Sequence, residues 1–249
     1  MTMVQFVGIL NVTPDSFSDG GKFFSPKAAL TQAKQLFSDG ASIVDIGAES
    51  TRPHAVGLSA DQEWKRLEPI LKKLLPTYPG KISLDSYHPK NIMRAFKIGP
   101  IIVNDVTGMN NPTMIAVVSE LKPTVIISHL HGADIQKAHQ MVPVSTIMQV
   151  KQDLLAKAQV LESNGLRRDK IILDPGIGFG KTMDLNFHLL GFAKEVPEFK
   201  VMIGYSRKRF LGESRMDLEP NLEAGMVAIA SGAAYLRLHD VAGHRQLLK

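Results

Sequence analysis

Three side chains that accept hydrogen bonds, Asp85, Asn104 and Asp174, each stand directly after a short apolar run, ISL, IIV and IIL respectively. Five other apolar runs also end on polar residues: Asn11 after VGIL, Asp45 after SIV, His129 after VIIS, Tyr205-Ser206 after VMIG, and Arg237 with His239 in AYLRLHD. A carboxylate can take two parallel N–H bonds from an amidine-like ring edge, while a guanidinium fork clamps an anion. The acceptors Asp85, Asn104 and Asp174 fall on the middle runs, and Asn11, Arg52, Arg237 and His239 fall near the two ends of the chain order. That pattern describes a ligand with a donor-rich heterocycle at one end and an anionic group at the other.

The segments after these runs sharpen the chemistry. In GILNVTPDSFSDGG, residues 8–21, the Asn11 amide offers a neutral oxygen to a hard cation such as Mg²⁺, or a donor to a phosphate. In DIGAESTRPHA, residues 45–55, Arg52 beside Thr51 and Pro53 is an anion clamp. Asp45 and Glu49 there read as a buried structural carboxylate and the partner of a local base, in preference to an acid–base pair. DPGIGFGKT, residues 174–182, nearly matches a phosphate-binding P-loop, but Pro175 stands where the motif needs glycine. What remains is an acid followed by a glycine-rich turn that carries Phe179. Ser206, Arg207, Lys208, Arg237 and His239 supply donors after the seventh and eighth runs. Arg237 lies inside an apolar run and needs an anion or an aromatic face to justify its position.

Helix-like stretches separate most of the runs, so the chain reads as α/β with a parallel sheet. IIVND, TVIIS and KIILD lack polar alternation, which suits strands buried on both faces. Eight βα units in 249 residues, with no linker between them, predict a (β/α)8 TIM barrel as one domain over 1–249. A doubly wound sheet is the alternative. In a barrel all strand ends open on one face, which would gather the polar exits into one mouth. Helix starts are marked by Ser25-Pro26, Ser59 with Gln62, His88-Pro89 and Asn111-Pro112, and a longer helix is expected from Ser145 to Asn164.

Composition excludes several classes. The chain has no cysteine, hence no disulfide framework and no thiolate chemistry. No apolar run is long enough to span a bilayer, and the first residues read as a strand, so a cytoplasmic protein is expected. The net charge of +5 is mild, and Arg207-Lys208-Arg209 is too short for a nucleic-acid tract.

The motifs GILNVTPDSFSDGG, DIGAESTRP, SLDS, VNDVTG, DPGIGFGK, SRKRFLG and LRLHD together closely resemble the dihydropteroate synthase family, nearly end to end and in the family's order. The resemblance implies a transferase of folate biosynthesis that joins 6-hydroxymethyl-7,8-dihydropterin diphosphate to 4-aminobenzoate. It implies that Asp85, Asn104, Asp174 and Lys208 anchor the pterin, with Arg237 stacked on the ring. It further implies that Asn11 binds Mg²⁺, and that Thr51, Arg237 and His239 hold the diphosphate. Phe17, Arg52, Pro53, Phe179, Lys208 and the backbone at Arg209 would line the aminobenzoate pocket, and the protein would be a homodimer through its helical exterior. The chain departs from the family pattern at His54, in SHLHGAD (128–134), and in its short end after LRLHDV. A related pterin-binding methyltransferase domain would not need TRP, SRK and RLH around a diphosphate. A silent pterin-binding protein would have no use for Asn11, Lys208, Arg237 and His239 together.

Overall fold

The computed structural model describes residues 3–13, 25–49, 57–130 and 142–248. Eight parallel strands close into a barrel in sequence order: β1 (Gln5–Asn11), β2 (Ile43–Gly47), β3 (Ile82–Asp85), β4 (Ile102–Asp105), β5 (Thr124–Ser128), β6 (Ile171–Asp174), β7 (Lys200–Ile203) and β8 (Tyr235–Leu238). β1 pairs with both β2 and β8, which is the closure, and the doubly wound alternative is excluded.

The helices are α1 (Pro26–Ser38), α2 (Ala60–Thr77), α3 (Pro89–Phe96), α4 (Pro112–Leu121), α5 (Ile147–Ser163), α6 (Met183–His188), α7 (Leu218–Ala230) and α8 (Val241–His244). The starts marked in the sequence follow the expected chemistry except at His88, and α5 begins at Ile147 with Thr146 as its cap, where Ser145 was expected to open the helix. The Ser25, Asn111 and Thr146 side chains accept from Ala28, Thr113 and Gln149 backbone N–H, and Ser59 with Gln62 completes a capping box. His88 makes no side-chain cap. Its ring Nε2 instead lies 3.0 Å from the Leu58 carbonyl, tying the start of α3 to the segment before α2.

Two cores hold the barrel. The larger fills the space between strands and helices, with Leu10, Val44, Ile46, Leu84, Val103 and Leu173 facing outward from the sheet. The smaller is an interior plug of Val7, Ile43, Ile102, Ile126, Ile172 and Met202, with Tyr235 packed against it. Strand side chains alternate between the two faces, so the residue two positions beyond each plug residue points inward again, one layer nearer the mouth. That step leads from Ile43 to Asp45, from Ile102 to Asn104, from Ile172 to Asp174 and from Tyr235 to Arg237. Ser83 leads in the same way to Asp85. An apolar floor under a polar layer is thus written into the strands as a period of two. Among the described residues, no helix is long and apolar enough to cross a membrane.

Candidate active site at the barrel mouth

The polar layer is tightly interlocked. Arg237 Nε donates to Asp45 Oδ2 at 2.6 Å, and Arg237 Nη2 donates to Asp85 Oδ2 at 3.0 Å. The Asn104 amide Nδ2 also faces the Asp45 carboxylate, 3.3 and 3.1 Å from its two oxygens. Asp45 is wholly buried, whereas Arg237 and Asp85 keep 20% and 17% of their side chains exposed to the mouth. The acids of the middle strands and the cation of the closing seam, expected to stand apart, are joined across the barrel. Arg237 does find the anion its position requires, and two protein carboxylates provide it.

Across the mouth, Asp174 Oδ1 accepts from the Gly176 N–H at 2.7 Å. The turn after it depends on glycine: Gly176 has φ +65°, and a Cβ there would sit 2.1 Å from the His129 carbonyl oxygen. Gly178 N–H donates to Asn186 Oδ1 at 2.7 Å, which fixes the far side of the turn. Lys208, just beyond β7, donates to the Ile177 carbonyl at 2.5 Å and lies 5.1 Å from the Phe179 ring centre. Lys181 reaches the carbonyls of His129 at 3.1 Å and Phe179 at 2.8 Å, linking the ends of β5 and β6.

Burial shapes the charges. It pushes Asp85 up to about 7, with the Asp45 charge adding to the rise and Arg237 opposing it. Burial also raises Asp174, against the pull of Lys208 and the Gly176 N–H bond. Lys208 is pushed down to about 8 and Lys181 to about 7, in both cases chiefly by burial, with Asp174 opposing. Burial disfavours the charge of Arg237, but Asp45 and Asp85 outweigh it and hold the guanidinium protonated. The mouth therefore carries one permanent cation and several groups whose charge a ligand can reset near neutrality.

The remaining expected residues fall as follows. Asn11 ends β1, in register with Gly47 of β2, and His239 follows β8 with its Nδ1 3.1 Å from Ser206 Oγ. Phe179 is partly buried, and Arg209 is exposed at the start of a single turn, Arg209–Leu211. Phe17, Thr51, Arg52, Pro53, His54 and positions 131–134 of the altered loop lie outside the described residues. His129 points its Nε2 at Asp153 of α5, 3.0 Å away. Among the described residues, Glu49 is engaged by the Tyr87 hydroxyl at 2.6 Å and the Leu58 N–H at 2.9 Å, where the sequence suggested a local base. Lys181 and Asn186 were not anticipated; a lysine directly after a glycine-rich turn was the available signal for the first, and nothing marked the second.

A family model described as pterin binding enzyme matches residues 7–239. A dihydropteroate synthase of Synechocystis is 36% identical over 98% of this chain and 87% of its own length. The chain belongs to the dihydropteroate synthase family. It also spans about half of a pea mitochondrial folate synthesis bifunctional protein, 36% identical over 98% of this chain. Among solved dihydropteroate synthases, that of Yersinia pestis in a sulfonamide drug complex superposes with a TM-score of 0.92 at 29% identity, covering 99% of this chain and 92% of its own. The Burkholderia cenocepacia enzyme complexed with 7,8-dihydropteroate gives 0.85 at 30% identity, covering 98% and 89%. The family match thus runs from within β1 to His239, just beyond β8.

Proposed function

We infer that this chain is a folate-synthesis transferase that condenses 6-hydroxymethyl-7,8-dihydropterin diphosphate with 4-aminobenzoate, giving 7,8-dihydropteroate and pyrophosphate. The observation that carries the reading is the mouth layer, where Asp85, Asn104 and Asp174 offer acceptors beside the cations Lys208 and Arg237. Buried acceptors of this kind suit a ring edge rich in N–H donors, and the neighbouring cations suit its diphosphate. In the reaction the bond between the pterin methylene and the diphosphate oxygen breaks, a C–N bond to the arylamine forms, and the amine loses a proton. Arg237 and His239 neutralise the departing diphosphate, and the Asp174 carboxylate stabilises positive charge developing on the pterin side. An arylamine is unprotonated at neutral pH, so no strong base is needed for the attack. Phe179 and Lys208 form one wall of the aminobenzoate pocket, with Phe17, Arg52, Pro53 and the Arg209 backbone assigned to the rest of it, and Thr51 is assigned with Arg237 and His239 to the diphosphate.

Among the described residues, no cluster of three or more His, Cys, Asp or Glu side chains could form a metal cage. Mg²⁺ keeps several waters and is commonly held by one or two protein oxygens together with substrate phosphates, so the single amide oxygen of Asn11 beside a diphosphate fits it. Bound there, Mg²⁺ would supply charge neutralisation to the leaving group. The proposal includes a homodimer and a cytoplasmic location. Exposed Met183 and Phe187 on α6, Met216 before α7, and Leu218, Met226 and Val227 on α7 form an apolar exterior suited to a second copy. Sedimentation of the purified protein as a monomer would remove the dimer from the proposal.

The test is an assay of pyrophosphate release with each substrate alone, both together, and both with a sulfonamide. Release that requires both substrates and Mg²⁺, and falls when the sulfonamide competes with 4-aminobenzoate, is the expected result. Protein that binds the pterin diphosphate yet forms no dihydropteroate would overturn the reading.

A further inference from the structure

The feature left over by this reading is Asp45. It is 0% exposed, so it cannot meet a substrate, yet it binds two side chains of the mouth layer, Arg237 and Asn104. A carboxylate can only accept here, so the end of the Asn104 amide that faces it must be the NH₂. The amide has no freedom to turn over. Its Oδ1 is consequently left facing away from Asp45, buried and without a hydrogen-bond partner, in a side chain only 3% exposed. A buried carbonyl oxygen without a donor is costly, and a ligand N–H at the mouth would satisfy it. Next to it, the same carboxylate holds Nε of Arg237, which leaves Nη2 for Asp85 and sets the plane of the guanidinium.

We propose that Asp45 is a positioning residue that sets the polarity of the ligand site: by holding the Asn104 NH₂ it forces Asn104 to present an acceptor, so that the site selects a ring edge bearing a donor. The inference rests on the functional reading for the identity of the ring. Its mechanism needs only the Asp45–Asn104–Arg237 geometry. The residue acts as a specificity determinant without touching the substrate. Replacing it by asparagine keeps the size but gives the neighbour both a donor and an acceptor to face, which frees the Asn104 amide to adopt either orientation.

The test compares the binding of a 2-amino pterin with that of its 2-oxo (lumazine) counterpart, in which a donor becomes an acceptor. Calorimetry on the wild type and on Asp45→Asn gives the ratio of the two affinities. The wild type should favour the amino compound, and the variant should lose at least about tenfold of that preference, the worth of one hydrogen bond. A purely structural role would weaken both ligands alike, and an unchanged ratio overturns the proposal. Should Asp45→Asn fail to fold, side-chain amide exchange in the ligand-free wild type decides. The Asn104 NH₂ protons should exchange far more slowly than those of Asn164, whose amide bonds Val160 on the surface. Equally fast exchange overturns the proposal. A wild type that binds neither compound counts against the functional reading, while the exchange experiment still judges Asp45.

Discussion

Removing the Arg237 cation should uncover how much of the barrel's stability rests on its mouth. In Arg237→Met the wholly buried Asp45 loses its 2.6 Å partner and Asp85 loses its 3.0 Å partner. Deleting one member of a buried ion pair typically costs about 3–5 kcal/mol, because the other charge remains without compensation. Asp85 is already raised to about 7 by burial and by Asp45, and it takes up a proton at little further cost, so the loss falls chiefly on Asp45. A loss of about 3–5 kcal/mol near pH 7 is expected. Urea unfolding followed by fluorescence of Trp64, the single tryptophan, measures it. Adding Asp45→Asn to the methionine variant should restore more than half of the loss at pH 7. A loss below about 1 kcal/mol would refute the claim that the Arg237–Asp45 pair carries stability.

Two further outcomes follow from the other side of the mouth. Asp174→Asn should weaken pterin binding by at least about 1.5 kcal/mol, the lower range for a charge-assisted hydrogen bond, and unchanged affinity in calorimetry would remove Asp174 from the anchor set. Gly176→Ala places a Cβ against the His129 backbone, whereas Gly165→Ala, at φ +86°, meets nothing within 4 Å. Both pay for a left-handed alanine, of the order of 1 kcal/mol, but only Gly176→Ala must also shift backbone. Its urea midpoint should fall clearly further than that of Gly165→Ala, and equal midpoints would contradict the close approach.

Much of this was legible in the sequence, and the reason is local. A parallel strand buried on both faces must be continuously apolar, so its first polar residue marks the exit. Asp85, Asn104, Asp174 and Arg237 could be found in that way. Helix caps were legible where a short side chain could reach its own helix, as at Ser59, and not at His88, where the ring bonds Leu58 instead. What escaped was pairing across the barrel. Asp45 was expected to be a buried carboxylate, and it is. Yet Arg237 stands 192 positions away and Asn104 stands 59, and no local pattern encodes such a meeting. Lys181 escaped for the same reason, since one of its carbonyl partners, His129, belongs to the preceding strand exit.

The two-residue step from plug to mouth sets how the length of such a chain can drift. One residue added or deleted between Ile43 and Asp45, or between Ile172 and Asp174, would turn the acid out among the helices and bring an aliphatic side chain into the mouth. Strand frames must therefore be kept as strictly as a codon frame, whereas changes in length are tolerated farther along the loops, past the residues that each exit holds at the mouth. Members of such a lineage would differ in size almost wholly at the loops, while the spacing from floor to mouth stayed constant.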